Sequence, residues 1–125
     1  MATILLVDDD VACIEAYKLV VTQHGHEVVV ANSAAEARQR LQGGRPDAIV
    51  LDVMMERMTS GFDLAREVHK QFPDLPIILL TGLHKAVAHS LHFEPDEDWL
   101  PVTKFLDKPV DPAVLAKAIE AALAR

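Results

Sequence analysis

The chain has 125 residues, half of them hydrophobic, and a formal net charge of -7, which suits one folded domain with its own core. Its 12 basic residues are scattered among 19 acidic ones, which argues against direct binding to nucleic acid. The sequence shows no signal-peptide pattern, no apolar stretch of membrane-spanning length and only one cysteine, so we expect a cytoplasmic protein without membrane insertion.

Apolar runs typical of β-strands alternate along the chain with segments whose apolar residues recur at helical spacing. The predicted strands are Thr3–Val7, Glu27–Ala31, Ala48–Leu51, Pro76–Leu80 and Val102–Leu106. The predicted helices are one that stops near Gly25, one that opens at the capping box Ser33–Glu36, one from about Ser60 to just before Pro73, one over about Leu83 to His92, and one capped by Asp111 with Pro112 at its first position.

Three of the predicted strands are continuously apolar rather than alternating, namely those around Ile4–Val7, Ile49–Leu51 and Ile77–Leu80. Such strands have both faces covered by helices and run parallel. The chain is therefore predicted to form a doubly wound α/β sheet. Ligands of such sheets bind at the carboxyl ends of strands, near the point where the winding reverses.

Acidic residues stand where two of these strands end. Asp8, Asp9 and Asp10 follow the first strand, and Asp52 follows the third. If the two strands are neighbours, at least three carboxylates share one pocket, where each pair about 5 Å apart repels by ~3 kcal/mol at an effective dielectric near ~20. Such a pocket requires a cation, and its oxygen-only ligands favour Mg2+. Asp10 is instead expected to cap the first helix.

Two further polar residues follow later strands, Thr81 after the fourth and Lys108 shortly after the fifth. Together with the acids they are typical of a phosphoryl-transfer site. Asp52 stands alone on its strand and is the expected nucleophile, because a carboxylate attacks phosphorus when a metal neutralises the incoming oxygens. Lys108 can meet phosphoryl oxygens as a point charge, and the Thr81 hydroxyl can donate to one of them.

Five short motifs, in this order and at this spacing, resemble the receiver domain of bacterial two-component response regulators, and the resemblance covers the whole chain. The motifs are Ile4-Leu-Leu-Val-Asp-Asp-Asp10, Asp52-Val-Met-Met55, Gly61-Phe62, Leu80-Thr-Gly82 and Phe105-Leu-Asp-Lys-Pro109. The resemblance implies a flavodoxin-like (βα)5 fold with strand order 2-1-3-4-5 and a single receiver domain over residues 1–125. It also implies a signalling domain rather than an enzyme that turns over an external substrate.

The resemblance further implies how the acidic pocket is used. A sensor histidine kinase or a phosphotransfer protein would pass its phosphoryl group to Asp52. Mg2+ would be bound by Asp9, Asp52 and the main-chain carbonyl of Met54, while Asp8 would act mostly through a water molecule.

Thr81 and Phe105 would form the switch pair, in which the hydroxyl moves toward the phosphoryl group and the ring follows inward. Taken singly, they would be an ordinary loop residue and an ordinary core aromatic; their spacing to Lys108 favours the functional roles. The switch would act on an unknown downstream protein target, and a weak homodimer fits the same interpretation. The acidic segment Glu94–Pro101, which contains Trp99, is either the partner-selecting element or a solvated insertion.

Three other functions remain open at the level of sequence. A flavodoxin-like module would bind a flavin phosphate after the first strand, but three aspartates there would repel it. A phosphatase of the haloacid dehalogenase type would need a second aspartate two positions after the nucleophile, where Met54 stands. The chain could also be a receiver used as an unphosphorylated scaffold.

Overall fold

The computed structural model describes residues 2–52, 60–81, 104–107 and 110–124, with only the backbone at 60–62, 81, 104, 105 and 107. The strands are β1 (Thr3–Val7), β2 (Glu27–Ala31), β3 (Ala48–Asp52), β4 (Ile77–Thr81) and β5 (Lys104–Asp107). The helices of this part are α1 (Val11–Gln23), α2 (Ala34–Gln42), α3 (Ser60–Gln71) and α4 (Pro112–Leu123). The helix predicted over 83–92 and the segment Glu94–Pro101 lie outside the described residues.

The strands form one five-stranded parallel sheet in the order β2-β1-β3-β4-β5, which confirms the predicted α/β fold and its strand order. Three strands run one residue further than predicted, to include Asp52, Thr81 and Asp107. Asp52 pairs with Leu80 in register, and Thr81 pairs with Asp107. Backbone pairing continues past the last apolar side chain because it needs only N–H and C=O groups.

The sheet carries a core on each face, because successive side chains of a strand point to opposite sides. Leu5 and Val7 of β1 belong to the cluster that contains residues of α2 and α3, whereas Ile4 and Leu6 belong to the cluster with α1 and α4. All four β1 side chains are at most 1% exposed. Burial on both faces explains why the central strands are apolar without alternation.

The helix ends follow the predicted capping pattern. Asp10 accepts hydrogen bonds from the main-chain amides of Ala12 and Cys13 at 3.0 and 3.3 Å. Ser33 accepts from the Glu36 amide at 3.1 Å at the start of α2. Asp111 does the same for α4, accepting from the Ala113 amide at 2.8 Å. Gly25 has φ +84° just after α1, a conformation that favours glycine.

A histidine connects residues near the two ends of the chain. It lies at the amino edge of the sheet, where the parallel strands begin. His26 Nδ1 accepts a hydrogen bond from the Ala2 amide at 3.2 Å, and Nε2 lies 2.7 Å from Glu120 Oε1. The His26 side chain is 10% exposed and that of Glu120 is 53% exposed. Because Nδ1 accepts, the ring carries its proton on Nε2 and donates it to the carboxylate. The contact ties β1, the turn before β2 and α4 together.

Within the part of the chain that the structure describes, no helix combines the length and apolar character needed to cross a bilayer.

His26→Ala should lower the free energy of unfolding by about 1–2 kcal/mol, because it removes a mostly buried ring and leaves the Ala2 amide without its acceptor. Urea unfolding followed by circular dichroism measures the change. Lys117→Ala, an exposed position on the same helix as Glu120, is the control and should stay within about 0.5 kcal/mol of wild type. Equal unfolding midpoints for the His26 variant and wild type would contradict this role.

Candidate functional site

The site lies where the winding of the sheet reverses. β1 has β2 on one side and β3 on the other, so the carboxyl ends of β1 and β3 are adjacent. Val7 pairs in register with Leu51, and the next residues are Asp8 and Asp52. The parallel arrangement therefore brings together two acidic residues that are far apart in sequence, at the edge where such sheets bind ligands.

Three carboxylates meet at this edge. One carboxylate oxygen from each of Asp8, Asp9 and Asp52 lies within 4.8 Å of the other two. Asp8 is 1% exposed and Asp52 is 4% exposed, whereas Asp9 is exposed. The cluster thus has two acids in its floor and one at its mouth. The structure confirms that these three predicted residues are neighbours.

Main-chain and side-chain contacts fix the position of Asp8. Its amide donates to the Ala31 carbonyl at 3.1 Å, and its Oδ1 accepts from the Asp10 amide at 2.9 Å. Asn32 Nδ2 donates to the Asp8 carbonyl at 3.3 Å. Asp10 takes no part in the carboxylate cluster, because its side chain caps α1, as predicted.

Asn32 is a site residue that the sequence analysis missed. It follows the last residue of β2, so it lies at the same carboxyl edge as the acids. The signal available in the sequence was a polar residue directly after a predicted strand. The same pattern identifies Asp8, Asp52 and Thr81 as candidate site residues.

The electrostatics of the cluster call for a cation. At an effective dielectric near ~20, carboxylates about 5 Å apart repel by ~3 kcal/mol for each pair. The oxygens are all from carboxylates, a donor set that suits Mg2+, which binds through one or two carboxylates and keeps several waters. Asp8, Asp9 and Asp52 therefore fit a magnesium ion in chemistry and in spacing.

Tyr17 packs in the core cluster on the α1 side of the sheet. Burial raises the pKa of its hydroxyl well above the ordinary value of 10.0, a hydrogen bond with Cys13 raises it further, and the charges of Asp8 and Asp52 add to the effect. The hydroxyl therefore stays neutral at physiological pH. Tyr17 adds no negative charge to a pocket that already holds three acids.

The other predicted site residues are only partly placed. Thr81 ends β4 and its backbone lies one residue beyond the Asp52–Leu80 pair, at the same edge as the carboxylates. Phe105 lies in β5 opposite Leu79. The side chains of these two residues, and Met54 and Lys108 entirely, lie outside the described part. Their roles stay predictions.

Comparison with known proteins gives a consistent result. A family model described as the response regulator receiver domain matches residues 4–120. The transcriptional regulatory protein AfsQ1 of Streptomyces coelicolor is 36% identical over 125 residues, which is all of this chain and 52% of that protein. The transcriptional regulatory protein GlrR of Escherichia coli is 35% identical over 98% of this chain and 26% of its own length. The chain thus spans about half or less of these two relatives.

The solved structures show the same fold. A putative response regulator from Chloroflexus aurantiacus is 31% identical, with a TM-score of 0.83 over 99% of this chain and 98% of that one. A CheY-like receiver domain from Methanospirillum hungatei has a TM-score of 0.82 at 24% identity, over 99% of this chain and 94% of its own. The family model covers most of the chain, the solved receiver structures share its fold, and the chain belongs to the response regulator receiver domain family of two-component systems.

Proposed function

We propose that Asp52 is the phosphoacceptor of this receiver domain and that a sensor histidine kinase or a phosphotransfer protein supplies the phosphoryl group. The observation that carries the proposal is the position of Asp52. It is 4% exposed at the end of a central strand and has two other carboxylates beside it. A buried carboxylate at the reversal point of a doubly wound sheet occupies a ligand-binding position.

The proposed reaction is a direct transfer between two protein side chains. A carboxylate oxygen of Asp52 forms a bond to phosphorus, while the bond from phosphorus to the kinase imidazole nitrogen breaks. The nitrogen keeps the electron pair, and because the other ring nitrogen carries a proton, the group leaves as neutral imidazole. The product is an acyl phosphate, which water later hydrolyses to restore the carboxylate. No oxidant or further reactant is needed.

Asp8 and Asp9 are proposed to help bind the metal ion that this transfer needs. Asp9 and Asp52, with the main-chain carbonyl of Met54, are the proposed direct ligands of Mg2+, and Asp8 is proposed to act mostly through water. When bound, Mg2+ supplies the positive charge that allows an anionic phosphoryl group to approach an anionic pocket. The Asp10 amide orients the Asp8 carboxylate, and Asn32 holds the Asp8 main-chain carbonyl.

The remaining proposed roles concern the response to phosphorylation. The Thr81 hydroxyl and the Lys108 ammonium are proposed to bind phosphoryl oxygens, and Phe105 to follow Thr81 inward. The change would alter a surface that binds a downstream protein. Support comes from the backbone of Thr81, which lies at the same edge as Asp52, and from family membership. On this proposal the chain catalyses only its own phosphorylation and dephosphorylation.

Asp52→Asn should gain no phosphate mass after incubation with acetyl phosphate and Mg2+, because the amide is no longer a nucleophile. Wild type should gain one phosphoryl group, and only when Mg2+ is present. Intact-mass spectrometry distinguishes these outcomes. Asp74→Asn, which changes an exposed acid before β4, is the control and should be labelled like wild type. Labelling of the Asp52 variant at the wild-type rate would overturn the assignment, and an unlabelled wild type would favour the scaffold alternative.

The same substitution should stabilise the fold when divalent cations are removed. Replacing one buried carboxylate of the cluster by an amide relieves repulsion, so the free energy of unfolding in EDTA should rise by about 1–3 kcal/mol. Added Mg2+ should stabilise wild type, since a ligand bound only to the native state raises its stability. The difference in free energy of unfolding between wild type and Asp52→Asn should therefore become smaller. Urea unfolding with and without Mg2+ tests both statements. Lower stability of Asp52→Asn than wild type in EDTA would contradict them.

Lys108→Ala should separate metal binding from switching. Its Mg2+ affinity should equal or exceed that of wild type, because a cation competing for the same carboxylates is lost. Phosphorylation should then produce smaller shifts of backbone amide resonances than in wild type. Calorimetric titration measures the first quantity and NMR the second. A large fall in Mg2+ affinity would argue against the proposed role of Lys108.

A further inference from the structure

A cavity of about 360 Å³ lies at the opposite edge of the sheet from the acidic cluster. It is bounded by the carboxyl-terminal half of α2, by residues of β1 and β2, and by the loop 43–46. Thr3, the first residue of β1, contributes to it, whereas Asp8 follows the last residue of that strand. The two sites are therefore separated by the length of β1, about 17 Å. We call the cavity at the amino edge the arginine cavity, after Arg40 and Arg45 in its wall.

Both arginines are anchored by main-chain carbonyls. Arg40 Nε donates to the Val30 carbonyl at 3.1 Å, and Arg45 NH1 donates to the Pro46 carbonyl at 3.0 Å. Arg40 also forms an ion pair with Glu36 on the same helix, at 3.7 Å, which is beyond hydrogen-bond distance. A guanidinium has five N–H donors, so these contacts leave most donors of both side chains available to a ligand.

The charge of the arginine cavity differs from that of the molecule as a whole. The chain has 19 acidic and 12 basic residues, yet the residues that line this cavity include two arginines and no acid. Asp47 follows the lining residue Pro46, and its carboxylate accepts a hydrogen bond from the Thr3 amide at 2.7 Å. The lining residues are therefore cationic in an anionic domain, with Glu36 and Asp47 just outside them.

The end of α2 does not cancel this positive charge. A helix carboxyl terminus carries partial negative charge on its last carbonyls. Here the Gly43 amide donates to the Arg40 carbonyl at 3.1 Å, and the Gly44 amide donates to the Leu41 carbonyl at 3.3 Å. The two glycines add only backbone to the wall, and Gly44 has φ +153°, a conformation that a side chain would strain.

We propose that the arginine cavity binds a small amphipathic anion. Its carboxylate or phosphate would accept hydrogen bonds from Arg40 and Arg45, and its apolar body would lie against Val29 and Pro46, with Leu5 beneath them. Arginine suits this task because its planar fork matches both anionic groups. The volume falls within the range of small-molecule sites, about 300–1,000 Å³. This binding does not depend on phosphorylation of Asp52.

The test uses the full chain without Mg2+ and follows backbone amide resonances of residues 43–45. The probes are 2-naphthoate and 2-naphthyl phosphate, with neutral 2-naphthylmethanol as the uncharged comparison. Both anions should shift these resonances saturably, and the alcohol should not. Arg45→Gln should weaken binding about tenfold, because a charge-assisted hydrogen bond is lost. Arg40→Gln should have a similar effect and serves as the second variant.

Arg38→Gln is the matched control. Arg38 is also on α2, but its guanidinium contacts Glu67 of α3 at 2.7 and 3.0 Å and does not line the cavity. This variant should keep wild-type affinity. Binding of only one anion supports the proposal and identifies the head group. Absence of saturable shifts, equal binding of the alcohol, or unchanged affinity in both cavity variants would overturn it.

Discussion

The carboxylates of Asp8 and Asp52 are almost fully buried side by side at the ends of two adjacent parallel strands. Burying like charges together is unfavourable, and the exposed Asp9 adds a third charge within 4.8 Å. The arrangement persists because the strands that carry it are fixed by apolar burial on both faces of the sheet. The core thus holds the acids at a spacing that favours a cation, and the proposed phosphoryl chemistry depends on that spacing.

The cluster is also shaped by short polar contacts around it. Asp10 could have been a fourth carboxylate in the pocket, but its side chain caps α1. Its amide instead holds Asp8 Oδ1, and Asn32 holds the Asp8 carbonyl. Asp10 therefore places its carboxylate on α1 instead of in the cluster, and its amide orients Asp8. These contacts orient Asp8 at the pocket.

The two edges of the sheet carry different side chains. The carboxyl edge holds the three aspartates, while the amino edge holds the arginine cavity and the His26–Glu120 contact. A phosphoryl group and an amphipathic anion would accordingly be bound by different means, the first through a metal and the second through guanidinium groups. The two proposed sites share strand β1, yet each can be disabled without changing a residue of the other.

The sequence by itself determined the alternation of strands and helices, the parallel sheet and the caps Asp10, Ser33 and Asp111, because periodicity and capping depend on nearby residues. The positions of the aspartates at predicted strand ends also indicated the acidic edge, and the family resemblance supplied the strand order; the structure confirms both.

Only the tertiary structure decided that one oxygen from each acid lies within 4.8 Å of the others, that Asn32 holds Asp8, and that His26 meets Glu120. The partners in the last two contacts are 24 and 94 residues apart, so no local pattern specifies them. The arginine cavity has the same origin, since its wall combines two strands, a helix end and a loop. Such juxtapositions arise from packing, which local sequence patterns do not encode.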